Sequence, residues 1–204
     1  SIDICTKAVA ANPDDFDANW RCARSYRWYA ELAKRASMKG WEEICADYGK
    51  KGMGYADKAI QLQPNKPHGY YWYGVNVGIY SDGVSILTAL REGLKDKTQS
   101  SFEKVYALDK DFEEAGSVLA LGRFWAVLPW PLNDKDLSLK YYREYQKTTH
   151  YGVKPEGPVY LAELLADMGG NDKEAEAKKI LQDDLKTDSK YFLDWKGRIM
   201  KDLN

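Results

Sequence analysis

The sequence has no Cys-x-x-Cys pair, and only two histidines, His68 and His150, accompany its three cysteines. A zinc site built from Cys and His is therefore not expected, and no other metal or cofactor is indicated. No glycine-rich phosphate loop is present. Gly49, Gly52 and Gly54 fall within helical spacing instead, where glycines ease close helix crossing. The acidic pairs Glu42-Glu43, Glu113-Glu114 and Asp183-Asp184 are adjacent along helical segments, so their members do not face one another. They read as solvated faces. His150, beside Tyr151-Gly152, reads as a helix end, and no nucleophile has a neighbour that would activate it. No catalytic residues are assigned, and the chain is not expected to be an enzyme.

An excess of one charge is also missing. Lys plus Arg number 30 and Asp plus Glu 31, for a net charge of -1. That balance gives no electrostatic reason to expect nucleic acid or an anionic membrane as partner. No hydrophobic run suits a bilayer. The best stretch, Gly69 to Leu90, has a single charge, Asp82, but also Asn76, two serines, a threonine and several glycines. It suits a helix buried on most sides inside a folded protein. Ser1 begins directly in helical sequence, with neither signal peptide nor initiator methionine, so any targeting segment is expected outside this sequence. Ile2-Asp3-Ile4 before Cys5 does not match a lipoprotein cleavage box.

What is present is a folded, aromatic, helical chain. Of its 204 residues, 44% are hydrophobic and 30% charged, a balance that permits a sizeable core. Fifteen tyrosines and seven tryptophans stand against five phenylalanines, and such rings suit helix junctions or half-wet grooves. From Trp41 the apolar positions run Ile44, Cys45, Tyr48, Gly52, Tyr55, Ala56, Ala59 and Leu62, steps of three and four that mark one helix face. Breaks fall at Asn12-Pro13-Asp14-Asp15, Pro64-Asn65-Lys66-Pro67, Pro129 to Asp134, Lys154 to Pro158 and Gly169 to Asp172. The spacing predicts helices near 2–11, 15–37, 41–62, 67–92, 98–108, 112–128, 134–149, 157–168, 172–186 and 189–202. Either Asn133 or Asp134 serves as the N-cap after Pro131.

An internal repeat organises these helices. Ala8-Val9-Ala10-Ala11-Asn12-Pro13 matches Ala59-Ile60-Gln61-Leu62-Gln63-Pro64, and an aromatic follows each proline at the same distance, Trp20 and Tyr71. A small residue follows in turn, Ala23 and Gly74. This is the tetratricopeptide pattern, in which small residues let antiparallel helices approach and bulky ones lock the neighbouring pair. Lys104 to Asp109 with Leu121-Gly122 gives a degenerate third copy, and Gly170 to Ala175 opens a weak fourth. The fold class expected is all-α, with tetratricopeptide-like antiparallel helix pairs forming a short right-handed superhelix. One continuous domain is expected over 1–204. Residues 189–202 would form its C-terminal capping helix, burying Tyr191, Phe192, Trp195 and Ile199.

The run Gly52-x-x-Tyr55-Ala56-x-x-Ala59-Ile60-x-Leu62-x-Pro64-Asn65, followed by Gly69-Tyr70-Tyr71-Trp72-Tyr73-Gly74-Val75-Asn76-x-Gly78, resembles the T-component family of tripartite ATP-independent periplasmic (TRAP) transporters. Leu121-Gly122-Arg123-Phe124-Trp125 with Leu128-Pro129 resembles that family's second marker. The family's Gly-Gly turn after Leu-Pro is replaced here by Trp130-Pro131-Leu132-Asn133-Asp134. The resemblance implies a non-enzymatic helical-repeat accessory protein of a periplasmic solute transporter. Its partner would be a solute-binding protein. It would be a periplasmic lipoprotein, anchored through a segment not in this sequence; a cytoplasmic setting is the alternative. A general scaffold that binds a peptide or protein segment in its concave groove is the alternative function.

Candidate binding residues cluster on two segments. On the helix from His68 to Arg91, Tyr71, Trp72, Asn76 and Tyr80 are candidates; Asn76 is expected to bond a neighbouring backbone group or Arg123. Arg123 either pairs inside the fold or holds a carboxylated ligand through its planar fork, with Trp125 and Trp130 nearby. Together these residues would line an aromatic cavity for a small apolar or carboxylated ligand, or serve as ordinary core. Cys5 and Cys22 stand nearly equidistant from the Pro13 turn, so a disulfide and two buried thiols are both open, with Cys45 free either way. A monomer and a homo-oligomer are likewise both open.

Overall fold

The computed structural model describes residues 2–186 and residue 201. Those residues form helices α1 (Ile2–Ala11), α2 (Phe16–Arg35), α3 (Trp41–Leu62), α4 (Pro67–Val84), α5 (Ile86–Arg91), α6 (Leu94–Leu108), α7 (Phe112–Val127), α8 (Lys135–Tyr145), α9 (Glu156–Met168) and α10 (Asn171–Leu185). Among them there is no β-strand, only an isolated bridge between Tyr151 and Lys154. The fold is all-α, as the periodicity predicts. The terminal helix expected at 189–202 falls outside the described residues, Lys201 apart.

Local signals set most boundaries. Asp15 caps α2 by accepting from the backbone N–H of Ala18 at 2.9 Å. Asp134 does the same for α8, accepting from Leu137 at 2.8 Å. Pro67 opens α4 at its first turn, where a missing N–H costs nothing. Some boundaries differ from those the spacing predicts; α8, for one, ends at Tyr145 rather than near 149. The single helix expected over 67–92 is broken at Ser85, whose φ of 131° no helix accommodates, and whose hydroxyl caps α5 by accepting from Thr88. The next helix starts at Leu94 rather than near 98, because Gly93 takes a left-handed φ of 73° and lets the chain turn at once.

The chain divides into two compact units, Ser1–Phe112 and Glu113–Asn204. The division falls inside α7, at a left-handed stretch over Glu113, Glu114 and Ala115.

In the first unit α3 packs against both α2 and α4. Its contacts with α4 descend in register. A Cβ placed on Gly83 would meet Ala46, Gly49 faces Tyr80, Gly52 faces Asn76 and Gly69 faces Ile60. Rising numbers on one helix meet falling numbers on the other, so the pair is antiparallel. Each added Cβ would come within 2.8 Å of the opposing helix, so glycine is what permits this approach. Contacts of α2 with α4 ascend instead: Trp20 with His68, Ala23 with Asn76, Lys34 with Asp82. Neighbouring helices antiparallel and alternate helices parallel is the tetratricopeptide arrangement that Pro13 and Pro64 announce.

The second unit follows the same logic. Gly122 of α7 admits the Tyr142 ring of α8, and the Ser138 hydroxyl donates to the Gly122 carbonyl at 2.7 Å. Lys135 on α8 meets Asp167 on α9 at 2.8 Å. Arg143 grips Glu176 of α10 through two bonds of 2.6 and 2.7 Å. Its core is Tyr142, Val159, Leu161, Leu165 and Leu181.

Candidate binding groove

Three of the four candidates on α4 are consumed by packing. Trp72 and Tyr80 are buried, and Asn76 is fully so. The Asn76 amide donates to the carbonyls of Ala23 at 3.1 Å and Trp72 at 2.7 Å, joining α2 to α4. Its Oδ1 presses on the bare Cα of Gly52. The Tyr80 hydroxyl donates to Glu92 at 2.8 Å, and that bond holds its proton above the usual tyrosine range. Tyr71 is half-buried, edge-on to Trp72 at 5.2 Å and to Phe112 at 5.6 Å.

The other three candidates belong to the second unit. Arg123 donates to Glu163 at 3.1 Å and lies over the Tyr160 ring at 4.5 Å, so its fork already holds a carboxylate of its own chain. Trp125 stands edge-on to Phe124 at 5.2 Å. Trp130 is 86% exposed, on the turn before α8.

The polar and thiol groups most suited to chemistry are quiet. Cys5 and Cys22 are paired, with Cα atoms 5.2 Å apart, tying α1 to α2. Burial pushes the Cys45 thiol up to about 11, and its Sγ donates to the Ala30 carbonyl at 3.6 Å. Such a thiol is not a nucleophile at neutral pH. His68 is walled by the rings of Phe16, Trp20 and Phe112, and burial lowers its pKa, which keeps it neutral. Among the described residues, no three His, Cys, Asp or Glu side chains gather as metal ligands would.

Open space lies elsewhere in the first unit. A groove of about 490 Å³ runs between α1, α2 and α3, lined by Val9, Pro13, Asn19, Tyr26, Lys51, Gly54, Tyr55 and Lys58. The α1–α2 turn forms one wall. It is fixed by Asn19, whose buried amide donates to the Pro13 carbonyl at 3.0 Å and the Asp15 carbonyl at 2.8 Å. Tyr26 and Tyr55 stack at 5.6 Å and 15°, and Tyr48 meets Tyr26 edge-on at 5.2 Å. Gly54 keeps the α3 wall low, since a Cβ there would touch nothing within 4 Å. Lys51 and Lys58 complete that wall, each bonded to an exposed aspartate, Asp47 at 2.7 Å and Asp14 at 2.6 Å.

In the sequence these residues carry no functional mark. Tyr55 was legible only as part of the repeat face of α3, and Gly54 only as a helical glycine. The signal was in the two glycines' spacing: Gly52 and Gly54 point to different sides of α3, so one can serve close packing and the other a gap.

The arrangement offers apolar wall, aromatic edge and ammonium groups, the components of a binding surface. The model of one protein family, described as Regulator of microtubule dynamics protein 1-3, matches residues 1–125. No curated protein matches the chain. Among solved structures, a thermophilic TPR protein of Thermus thermophilus is similar over 99% of this chain and 88% of its own, with a TM-score of 0.68 at 17% identity. YrrB, a TPR protein with an unusual peptide-binding site, is similar over 100% of this chain and 92% of its own, with a TM-score of 0.52 at 15% identity. At such identities the likeness shows the fold, a TPR-type array of helices.

Proposed function

The chain belongs to the Regulator of microtubule dynamics protein 1-3 family, and from that premise we propose that it is a non-enzymatic TPR-type scaffold that holds a segment of a partner protein and through it acts on microtubule dynamics. The observation that carries the reading is the position of the groove. Every residue that lines it, from Val9 to Lys58, lies within the part of the chain that matches the family. A TPR neighbour described by its peptide-binding site supports the use of such a fold for peptide capture.

This is the general-scaffold alternative of the sequence reading. The transporter-accessory role, with its solute-binding partner and periplasmic lipid anchor, rests on the resemblance carried by Gly52 to Gly78 and Leu121 to Pro129, and the matching family is a different one. Nor does Arg123, already bonded to Glu163, favour a carboxylated ligand.

The reading is tested by following the turbidity of purified tubulin as it polymerises, with and without the full chain, alongside affinity capture from a cell extract. The proposal predicts an altered polymerisation or disassembly rate, or capture of a protein that alters it. No change in rate, and no captured protein that produces one, overturns it.

A further inference from the structure

Helix α2 buries one side, with Asn19, Cys22, Ala23, Tyr26, Ala30 and Ala33 turned into the first unit. Its other side presents Asp17, Arg21, Arg24, Trp28, Glu31 and Arg35, which follow one another in steps of four and three. That spacing is the seam of a coiled coil, a straight stripe against which a second helix can lie. None of the six is buried. The side chains of Asp17 and Arg21 are 60% and 56% exposed. Trp28 is 56% exposed, and Leu32, one turn further on and bordering the stripe, is 60% exposed. We propose that this seam pairs with the same seam of a second copy of the chain, the two α2 helices running antiparallel about a two-fold axis at the level of Tyr26.

The order of charges along the stripe selects both partner and direction. In that register each layer forms twice, as a two-fold axis requires. Asp17 meets the partner's Arg35, Arg21 meets the partner's Glu31, and Arg24 meets the partner's Trp28. Two layers join opposite charges and the third sets a guanidinium on an indole. Every neighbouring arrangement sets like charges together. A slide of one heptad opposes Arg21 with Arg24, or Arg24 with Arg35, and a parallel pair opposes each arginine with itself. The bonds within α2 permit the exchange. Asp17 and Arg21 stand 4.0 Å apart and open to water, where an ion pair holds weakly. Glu31 accepts from Arg27 at 2.7 Å and Arg35 at 2.9 Å, and an ionised carboxylate has about four acceptor sites, so it can take a further donor. Arg24 lies over the Trp20 ring of its own helix at 5.0 Å, and the partner's Trp28 supplies a second ring. Tyr26, which lines the α1–α2–α3 groove, is on the opposite side of α2 from the seam. Each copy in the dimer therefore keeps its groove open, and the pair can hold two partner segments at once.

Sedimentation equilibrium of the full chain tests this. One helix per copy makes a small interface, so a monomer–dimer equilibrium is expected with a Kd on the order of 10–100 µM. It should weaken as salt rises. Arg21→Glu opposes two carboxylates across its layer, and Trp28→Lys sets an ammonium against Arg24. Each should weaken the dimer by about tenfold or more, with helical circular dichroism unchanged because both positions are exposed. Adding Glu31→Arg to Arg21→Glu exchanges the two charges of the layer and should restore association to within about threefold of the parent. That rescue is specific to the antiparallel register, since Arg21 and Glu31 lie too far apart along one helix to meet. A chain that stays monomeric up to about 500 µM overturns the proposal, being well above the expected Kd. So does a dimer indifferent to both single substitutions, a folded double variant as weak as Arg21→Glu alone, or a trimer. Those results leave the scaffold reading intact, because capture of a segment in the groove needs no second copy.

Discussion

Gly52 and Gly54 stand two positions apart on α3, and their replacement has opposite consequences. A Cβ on Gly52 would collide with the Oδ1 of Asn76, a side chain held in place by two hydrogen bonds. Gly52→Ala is expected to cost about 1–3 kcal/mol, the usual penalty for overfilling a packed contact. Gly54→Ala meets nothing within 4 Å and should gain about 0.5–1 kcal/mol, because alanine restricts the unfolded chain and favours helix. Urea denaturation of the two variants checks both signs. Asp184 makes a second prediction at this scale. It is 7% exposed, its Oδ2 has no hydrogen-bond partner among the described residues, and burial, with Asp183's charge, pushes its pKa up to about 7 from an ordinary 3.8. The folded state therefore keeps a proton that the unfolded state releases. Its contribution is most favourable below about pH 4 and declines as pH rises through 7. Asp184→Asn should be as stable as the parent at pH 4 and more stable at pH 8; thermal unfolding at the two pH values measures this. No gain at pH 8 would place the shift's cause elsewhere.

Among the elements, α1 and α3 are the most legible from sequence, with both bounds as expected, and the break between α4 and α5 is the least. The small residues of α3 and α4, with Pro64 and Pro67 between them, announce an antiparallel pair, and the structure sets Gly49, Gly52, Gly69 and Gly83 into the seam. The break at Ser85 was not legible, since no proline marks it and the apolar run continues through Ile86 and Leu87. Asn76 is legible as a buried amide that bonds neighbouring backbone, but of its two partners only Trp72 is on its own helix, and only tertiary structure brings Ala23 of α2 beside it. Asn76→Ala should cost about 2–3 kcal/mol, because two donor bonds are lost and the Ala23 carbonyl is left buried beside a gap. Helix α1 presents a single buried residue, Cys5, and its pairing with Cys22 closes a sequence separation of 17. Reduction with dithiothreitol is expected to lower stability by roughly 3 kcal/mol through loop-closure entropy. Thiol titration of the unfolded protein should give one free thiol, Cys45, before reduction; finding all three cysteines free would contradict the pairing.

At the scale of the whole molecule, fold class was written in the sequence and the binding surface was not. Periodicity and repeated prolines are local signals and specify helix pairs directly. A groove depends on which side chains three helices leave uncovered, and the tyrosines that line this one look, in sequence, like any others among the fifteen. The candidates on α4 attract attention because the segment is dense in aromatics, yet that density serves burial on several sides. The residues that carry the proposed function are instead ordinary lysines and tyrosines on α2 and α3, beside a glycine with open space around it. Hydrogen exchange of the full chain, with and without the protein it captures, tests this most directly. The account predicts slowed exchange over the α1–α2 turn and over α3 between Lys51 and Lys58, with the exchange of α8 to α10 unchanged. Protection confined to α8–α10, with Lys51 to Lys58 unaffected, would contradict it.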